Sequence, residues 1–320
     1  MAFLEIRLRP SGPWRAGQRT GDRERVDALY HSDALYSAVT HAMSSLGHLD
    51  AWLDATARAA EGPAVRFSSF FPFVGDTRLI APPRTSWPPS GAGKLYVNAA
   101  KLVPLEVARH GVANESRWAV DGASECLLPS GMAAPFEVAM RSGAAVDRIT
   151  GSAEPHRTAC LEFAPNAGWW GLIELTDDNW EARVKSALRL LADSGFGGER
   201  SRGWGRAAEP EFSDATPLFP GDGHAGAWWM LSLYSPHADD AVDWLRGDYV
   251  STTRGGWTDS TAGSAKKKQV RMIEEGSVLM ASAAPKLRGR AVDVAPEGFP
   301  HPAWRAGFAL AVPVPLEVEA

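Results

Sequence analysis

The run Gly195-Phe196-Gly197-Gly198-Glu199-Arg200-Ser201-Arg202-Gly203-Trp204-Gly205-Arg206 constrains the chain more than any other segment. Five glycines and three arginines in twelve residues suit neither a helix interior nor a regular strand, so a structured turn is forced here. Ahead of it, Trp180, Val184, Ala187, Leu188 and Leu191 recur at helical spacing, which predicts a helix over 178–194 ended by Gly195 at φ > 0. Behind it a strand is expected near 207–212. The glycines let the backbone turn sharply and leave N–H groups open to a phosphate. Arg200, Arg202 and Arg206 offer bidentate contacts to phosphate oxygens, and Trp204 offers a flat face to a base. The turn follows a helix rather than a strand and lacks Gly-Lys-Ser/Thr, so neither a P-loop nor a dinucleotide-binding turn fits. A phosphate here would meet the partially negative end of the preceding helix, which the arginines must overcome. The plain alternative is a helix-to-strand turn with incidental arginines.

The formal net charge of −5 argues against a sequence-indifferent nucleic-acid binder, whose attraction comes from summed positive charge. Any RNA contact must therefore be local and shaped. The length of 320 residues allows one large domain or two ordinary ones, and 45% hydrophobic with 22% charged residues is a soluble composition. No run approaches the roughly 20 apolar residues of a membrane helix, and MAFLEIRLRP alternates like a strand, without a signal-peptide core. Cys126 and Cys160 have no metal-ligand spacing and make no disulfide framework. A cytoplasmic protein without metal or other cofactor is expected.

Along the chain, residues 3–9 alternate as a half-buried strand, and a helix opens near His31-Ser32-Asp33, with Ser32 or Asp33 as cap and Leu35, Val39, Ala42 and Met43 facing a sheet. Strands are expected within 64–81, at 95–97, 135–142, 157–163 and 168–175, a short helix at 102–111, and a hairpin-like insertion at 112–134. After a linker over 213–227, the second half reads as a strand at 228–235, a helix at 237–246, and strands at 248–254, 270–281 and 306–318. This order fits an α+β chain of two ferredoxin-like (RRM-like) domains, residues 1–212 and 228–320.

The segment GFGGERSRGWGR resembles the glycine-rich loop of the RAMP superfamily of CRISPR proteins. His31-Ser32-Asp33-Ala34-Leu35-Tyr36-Ser37-Ala38 resembles its HSDxLxSA helix opening, and Asp147-Arg148-Ile149-Thr150-Gly151-Ser152-Ala153 its DRxTGxA segment ahead of a strand pair. Glu275-Gly276-Ser277-Val278 and His301-Pro302-Ala303-Trp304-Arg305 resemble the EGSV and HPxxRxG elements. Together, in order, they are similar to the fourth-subunit family of type III-A (Csm) effector complexes, over essentially the whole chain. The many tryptophans, where that family has small or aliphatic residues, are a departure that bears on the RNA-facing positions. The resemblance implies two ferredoxin-like RAMP domains gripping the 5′ handle of the crRNA. It also implies docking on the large polymerase-like subunit and the first backbone RAMP subunit, and a β-hairpin thumb, placed at 112–134, reaching the target RNA duplex. No catalytic role is implied.

The candidate RNA-binding residues are therefore His31, Ser32, Arg148, Gly197, Gly198, Arg200, Ser201, Arg202, Gly203, Trp204, Gly205 and Arg206, with Lys266, Lys267, Lys268 and Arg271 as a second basic cluster. Three adjacent lysines in a Ser/Gly-rich loop also suit a solvated surface. The alternative function is a metal-independent RAMP endoribonuclease processing precursor crRNA, with His31 as general base; no acid partner for it is legible. Arg7 and Arg9 face either RNA or water, Arg254 before Gly255-Gly256-Trp257 reads as a turn, and His301 and Arg305 as structural. Asp239-Asp240 reads as a helix start rather than a metal site. Trp169-Trp170 and Trp228-Trp229 read as core or interface. Neither a G-x-S-x-G elbow nor H-E-x-x-H is present.

Overall fold

Leu4, Ile6 and Leu8 alternate with Glu5 and Arg7, and the segment forms β1 (Ala2–Leu8), an inner strand of a seven-stranded sheet. The computed structural model describes residues 2–17, 23–88, 100–112, 115–219, 223–258, 265–281 and 287–315. After β1 come α1 (Ser32–Ser45), α2 (Leu49–Ala55), β2 (Val65–Phe67), β3 (Phe71–Val74) and β4 (Thr77–Ile80). Next are β5 (Val103–Pro104), α3 (Leu105–His110) and two hairpins, β6 (Trp118–Asp121) with β7 (Cys126–Pro129), and β8 (Phe136–Val146) with β9 (Ala153–Phe163). The first half closes with β10 (Ala167–Leu175), α4 (Glu181–Ser194) and β11 (Glu211–Asp214). The strand expected at 95–97 lies outside the described residues.

The large sheet runs β11-β1-β10-β3-β4-β5, with β2 also paired to β10. Thus β1, α1, β2, β10, α4 and β11 follow as strand–helix–strand–strand–helix–strand, in spatial order β11-β1-β10-β2 with antiparallel neighbours. That is the order of a split βαβ unit. Leu35, Val39 and Met43 of α1, and Val184, Leu188 and Leu191 of α4, pack with Ile6, Leu8 and Ile173 on one face. Those are the stripes that a 3.6-residue period selects. The other face, with Phe71, Phe73, Trp170 and Leu172, packs against Trp229, Leu231, Val278 and Val312 of the second half. The sheet is therefore covered on both sides, and every residue of β10 is buried.

Glu5 is buried on this inter-half face, where Arg78 donates to it twice at 2.9 Å and Arg7 once at 2.6 Å. Burial alone would raise its carboxyl, but the Arg78 and Arg7 guanidinium groups outweigh that and hold it below the ordinary value. A buried charge is tolerable only when paired in this way.

The second half is built from β12 (Gly223–Met230), β13 (Val242–Asp248), β14 (Ser251–Arg254), β15 (Val270–Ile273), β16 (Val278–Ala281), β17 (Gly289–Asp293), β18 (Trp304–Phe308) and β19 (Ala311–Pro315). A four-stranded sheet runs β13-β16-β12-β19, while β14–β15 and β17–β18 form separate pairs. The helix expected at 237–246 does not form. Asp240 instead accepts hydrogen bonds from Tyr234 Oη (2.9 Å), His237 N (2.9 Å), Arg288 N (2.8 Å) and Gly289 N (2.9 Å), so its carboxylate ties a turn to β17. Among the described residues this half has no α-helix, which departs from the second ferredoxin-like unit expected of it.

Residues 112–134 do contain a hairpin, β6–β7, but Cys126, Leu127 and Leu128 are buried in the core between the halves. The hairpin whose surface is open is β8–β9: most of β8 is exposed, and Ile149 at the tip is 96% exposed. The DRxTGxA segment, expected ahead of a strand pair, is the turn that joins this pair, with Asp147 Oδ1 accepting from Ile149 N at 2.7 Å.

Leu35 is fully buried where α1 meets the sheet. Leu35→Ala is expected to lower stability by about 2–5 kcal/mol, read as a lower urea midpoint at unchanged slope. A midpoint equal to wild type would show that α1 is not docked as described.

Candidate nucleic-acid interface

The N-terminus of α1, the glycine-rich loop and two loops of the second half converge on a cleft of about 870 Å³. Its walls include Arg15, His31, Asp33 and His41 from the first segments, Gly197 to Ser201 from the glycine loop, and Arg254 to Thr258, Lys267 and Arg305 from the second half.

Asp33 lies at the junction, fully buried. Arg254 donates to it through Nε at 3.1 Å and Nη2 at 2.9 Å, and Arg305 Nη1 donates as well. Arg305 Nη2 also donates to Gly255 O at 2.8 Å. Burial would raise the Asp33 carboxyl, but the guanidinium groups of Arg254 and Arg305 outweigh burial and hold it well below the usual carboxylate range. Two guanidinium groups thus share one buried carboxylate at the floor of the cleft.

His31 precedes the helix without capping it by its side chain. Its Nδ1 is 2.9 Å from Glu275 Oε1 and its Nε2 is 3.7 Å from Asp27 Oδ2, while the Ser69 hydroxyl donates to Glu275. Burial pushes the imidazole down, but the Glu275 carboxylate outweighs it and the net shift is upward. Burial likewise pushes Glu275 up, and His31 reverses that to a net lowering. Ser32 is a correction to the sequence reading. It is buried, its N–H donates to Ser69 Oγ (2.8 Å) and its hydroxyl accepts from Leu233 N (3.0 Å), so it neither caps α1 nor faces a ligand.

The glycine loop folds back on the body of the protein. Phe196 N donates to Gly205 O at 3.2 Å, Gly198 N to Arg15 O at 3.0 Å and Gly205 N to Pro13 O at 3.0 Å. Gly205 has φ +78, and a Cβ there would sit 1.9 Å from Phe196 O, so no other residue fits. Gly197, Gly198, Arg200 and Ser201 line the cleft. Among the described residues, the N–H groups of Gly197, Glu199 and Ser201 make no hydrogen bond, which leaves them for an anion. The rest of the loop points elsewhere. Arg202 Nη2 is 3.2 Å from His156 Nε2 on β9, and its Nε is 3.3 Å from Glu199. Gly203 and Arg206 are exposed outside the cleft lining. Trp204 is only 8% exposed and packs into the fold, so it offers no free face for stacking, contrary to the sequence reading.

Of the second basic cluster, Lys267 lines the cleft, and its N–H donates to Gly256 O at 2.9 Å. Lys266 and Lys268 are exposed and not in the lining, and Arg271 donates to Ser251 Oγ at 2.9 Å on the β14–β15 pair. Arg148 sits at the ribbon tip. Arg7 and Arg9 pair with Glu5 and Glu211. Arg15, Arg254 and Trp257 line the cleft although the sequence did not nominate them. Arg254 looked like a turn residue because its partner Asp33 is 221 positions away. Among the described residues no group of His, Cys, Asp or Glu is placed to hold a metal ion, and no helix is long and apolar enough to cross a membrane.

These pairs predict a stability profile. The Asp33 contribution is present above its unfolded pKa, about 4, and is lost as pH falls through the depressed folded value. The His31 contribution is present below about pH 6.5 and is lost as pH rises through its raised folded value. Asp33→Asn is expected to cost about 3–5 kcal/mol, because two guanidinium groups stay buried without their anion. His31→Gln is expected to flatten the alkaline fall in Tm that wild type shows above neutrality. Equal alkaline slopes in the two proteins would refute the His31–Glu275 pair.

Residues 224–314 match the family described as the CRISPR Csm4 C-terminal domain. No curated protein is similar enough in sequence to match. Among solved structures, a chain of the Csm3-Csm4 subcomplex of the type III-A CRISPR-Cas interference complex superimposes with a TM-score of 0.64 at 14% identity, over 97% of this chain and 99% of that one. Chains of the Csm1-Csm4 cassette in complex with cA4 and with pppApA give TM-scores of 0.59 and 0.58 at 17% and 18% identity, over at least 99% of each chain. Residues 224–314 thus match the CRISPR Csm4 C-terminal domain family, and the chain shares the fold of these Csm1-Csm4 and Csm3-Csm4 chains over nearly its whole length.

Proposed function

We propose that this chain is the Csm4-type subunit of a type III-A CRISPR effector complex and that it seats the repeat-derived 5′ handle of the guide RNA in the cleft between its halves, without cutting it. The observation that carries this reading is local charge. Arg15, Arg200, Arg254, Lys267 and Arg305 line one cleft, against the two carboxylates Asp33 and Glu199, in a chain whose formal net charge is −5. Open backbone N–H groups at Gly197, Glu199 and Ser201 add neutral donors suited to phosphate oxygens. The strand order of the first half supports its reading as a ferredoxin-like RAMP module. Docking on a large polymerase-like subunit and on a backbone subunit is supported by the likeness to chains of the Csm1-Csm4 and Csm3-Csm4 assemblies. The exposed ribbon β8–β9, with Arg148 and Ile149 at its tip, replaces residues 112–134 as the candidate thumb toward the guide–target duplex. A cytoplasmic setting follows from guide-RNA binding.

Catalysis by His31 is disfavoured on chemical grounds. A general base must be unprotonated and reach the 2′-hydroxyl. Here Nδ1 is held by Glu275, whose charge keeps the ring protonated to higher pH. His31 acts in docking the two halves.

Arg200→Ala and Lys267→Ala are each expected to weaken binding of single-stranded repeat RNA. Each should reduce the slope of log K against log[salt] by about 0.7 per lost phosphate contact, while Arg271→Ala leaves both unchanged. Fluorescence anisotropy at several salt concentrations reads this, and a double variant with wild-type affinity and slope would remove the cleft as the RNA seat. Repeat RNA incubated with the full chain in chelator is expected to stay intact. Cleavage there that His31→Gln abolishes would overturn the binding-only reading.

A further inference from the structure

Among the described residues, Trp257 is the most open large apolar side chain lining the cleft, 45% exposed, whereas Trp304 in the same lining is half-buried. Its backbone is held from both directions. Trp257 bridges antiparallel to Lys266, Thr258 N donates to Ala265 O at 2.8 Å, and Lys267 N donates to Gly256 O at 2.9 Å. On the preceding side, Arg305 donates to Gly255 O, and Arg254 is fixed on Asp33. The indole makes no ring pairing with another aromatic among the described residues, unlike Trp14, Trp52, Trp169 or Trp180 in the core. A rigidly mounted, open aromatic face thus shares a cleft with Arg200 and Lys267. Cations that track phosphates beside an aromatic that takes a base are what single-stranded nucleic acid requires.

We propose that Trp257 is the stacking platform for one unpaired base of the RNA in this cleft, and that it makes the cleft select single-stranded over duplex RNA. The proposal rests on the RNA-binding reading above. In an A-form duplex the bases are stacked on one another and unavailable to an indole, whereas a splayed base offers its whole face. Stacking tolerates any base and involves no counterion release. Trp257 therefore contributes affinity that does not depend on salt, in contrast to Arg200 and Lys267.

The test uses the full chain and labelled single-stranded repeat RNA, intact and with a single abasic site moved along it. Trp257→Ala is expected to weaken the intact RNA about tenfold, with Tm and salt slope unchanged, and Trp257→Phe to recover most of the loss. Wild type is expected to lose a similar factor at one abasic position, to which Trp257→Ala is indifferent. Duplex RNA should bind wild type and Trp257→Ala equally. The proposal is overturned if Trp257→Ala binds single-stranded RNA like wild type, including the case where it loses only a protein partner. It is also overturned if the abasic penalty persists unchanged in that variant. If wild type binds no single-stranded RNA, the RNA-binding reading fails and this one with it. If wild type binds, and only Arg200→Ala and Lys267→Ala weaken it, the stacking role alone fails.

Discussion

The arrangement of the whole cleft hangs on one buried carboxylate. Asp33, in the first turn of α1, receives Arg254 from the end of β14 and Arg305 from β18, so three distant segments are held at one point. Such a cluster contributes little net stability, since desolvating three charges costs about as much as their attraction returns. Its effect is on geometry. Any slip of one half against the other strands a guanidinium or a carboxylate without a partner, which is far costlier than the slip of an apolar contact. Because Arg305 also holds Gly255 O, the loop that carries Trp257 and faces Lys267 inherits its position from Asp33.

His31, Ser32 and Asp33 work as a unit. His31 pairs with Glu275, Ser32 accepts from Leu233 N, and Asp33 binds Arg254 and Arg305, so three successive residues each reach a different segment of the second half. A histidine beside a helix start invites a catalytic reading. Its partners tie the two halves together, and the Glu275 carboxylate it faces raises its pKa against the effect of burial.

The glycine loop has two sides with different duties. Residues 197–201 line the cleft, while Arg202 reaches His156 on the ribbon. Gly143, opposite His156 on β8, has no side chain, and a Cβ there would lie 2.9 Å from His156 Nε2 and 3.2 Å from Arg202 Nη2. A side chain at position 143 would press on both members of this contact. Arg202 therefore links the glycine loop to the ribbon at His156.

Much of the first half was legible in the sequence because its signals are local. The alternation of β1, the apolar stripes of α1 and α4 and the stop at Gly195 follow from the period of each element. Residues 195–206 were recognisable as a shaped turn because glycine density at that level has few other uses. Tertiary structure decided the rest. The expected helix at 237–246 lost to the four hydrogen bonds that Asp240 accepts, two of them from residues nearly fifty positions on. Trp204 looked like a stacking surface and is core, whereas Trp257 looked like a turn residue and is open in the cleft. Nothing within a few residues distinguishes those two tryptophans. Local periodicity encodes which face of an element is apolar, but which polar groups meet across the halves is set by pairings as distant as Asp33 and Arg305, and a sequence read in windows cannot contain them.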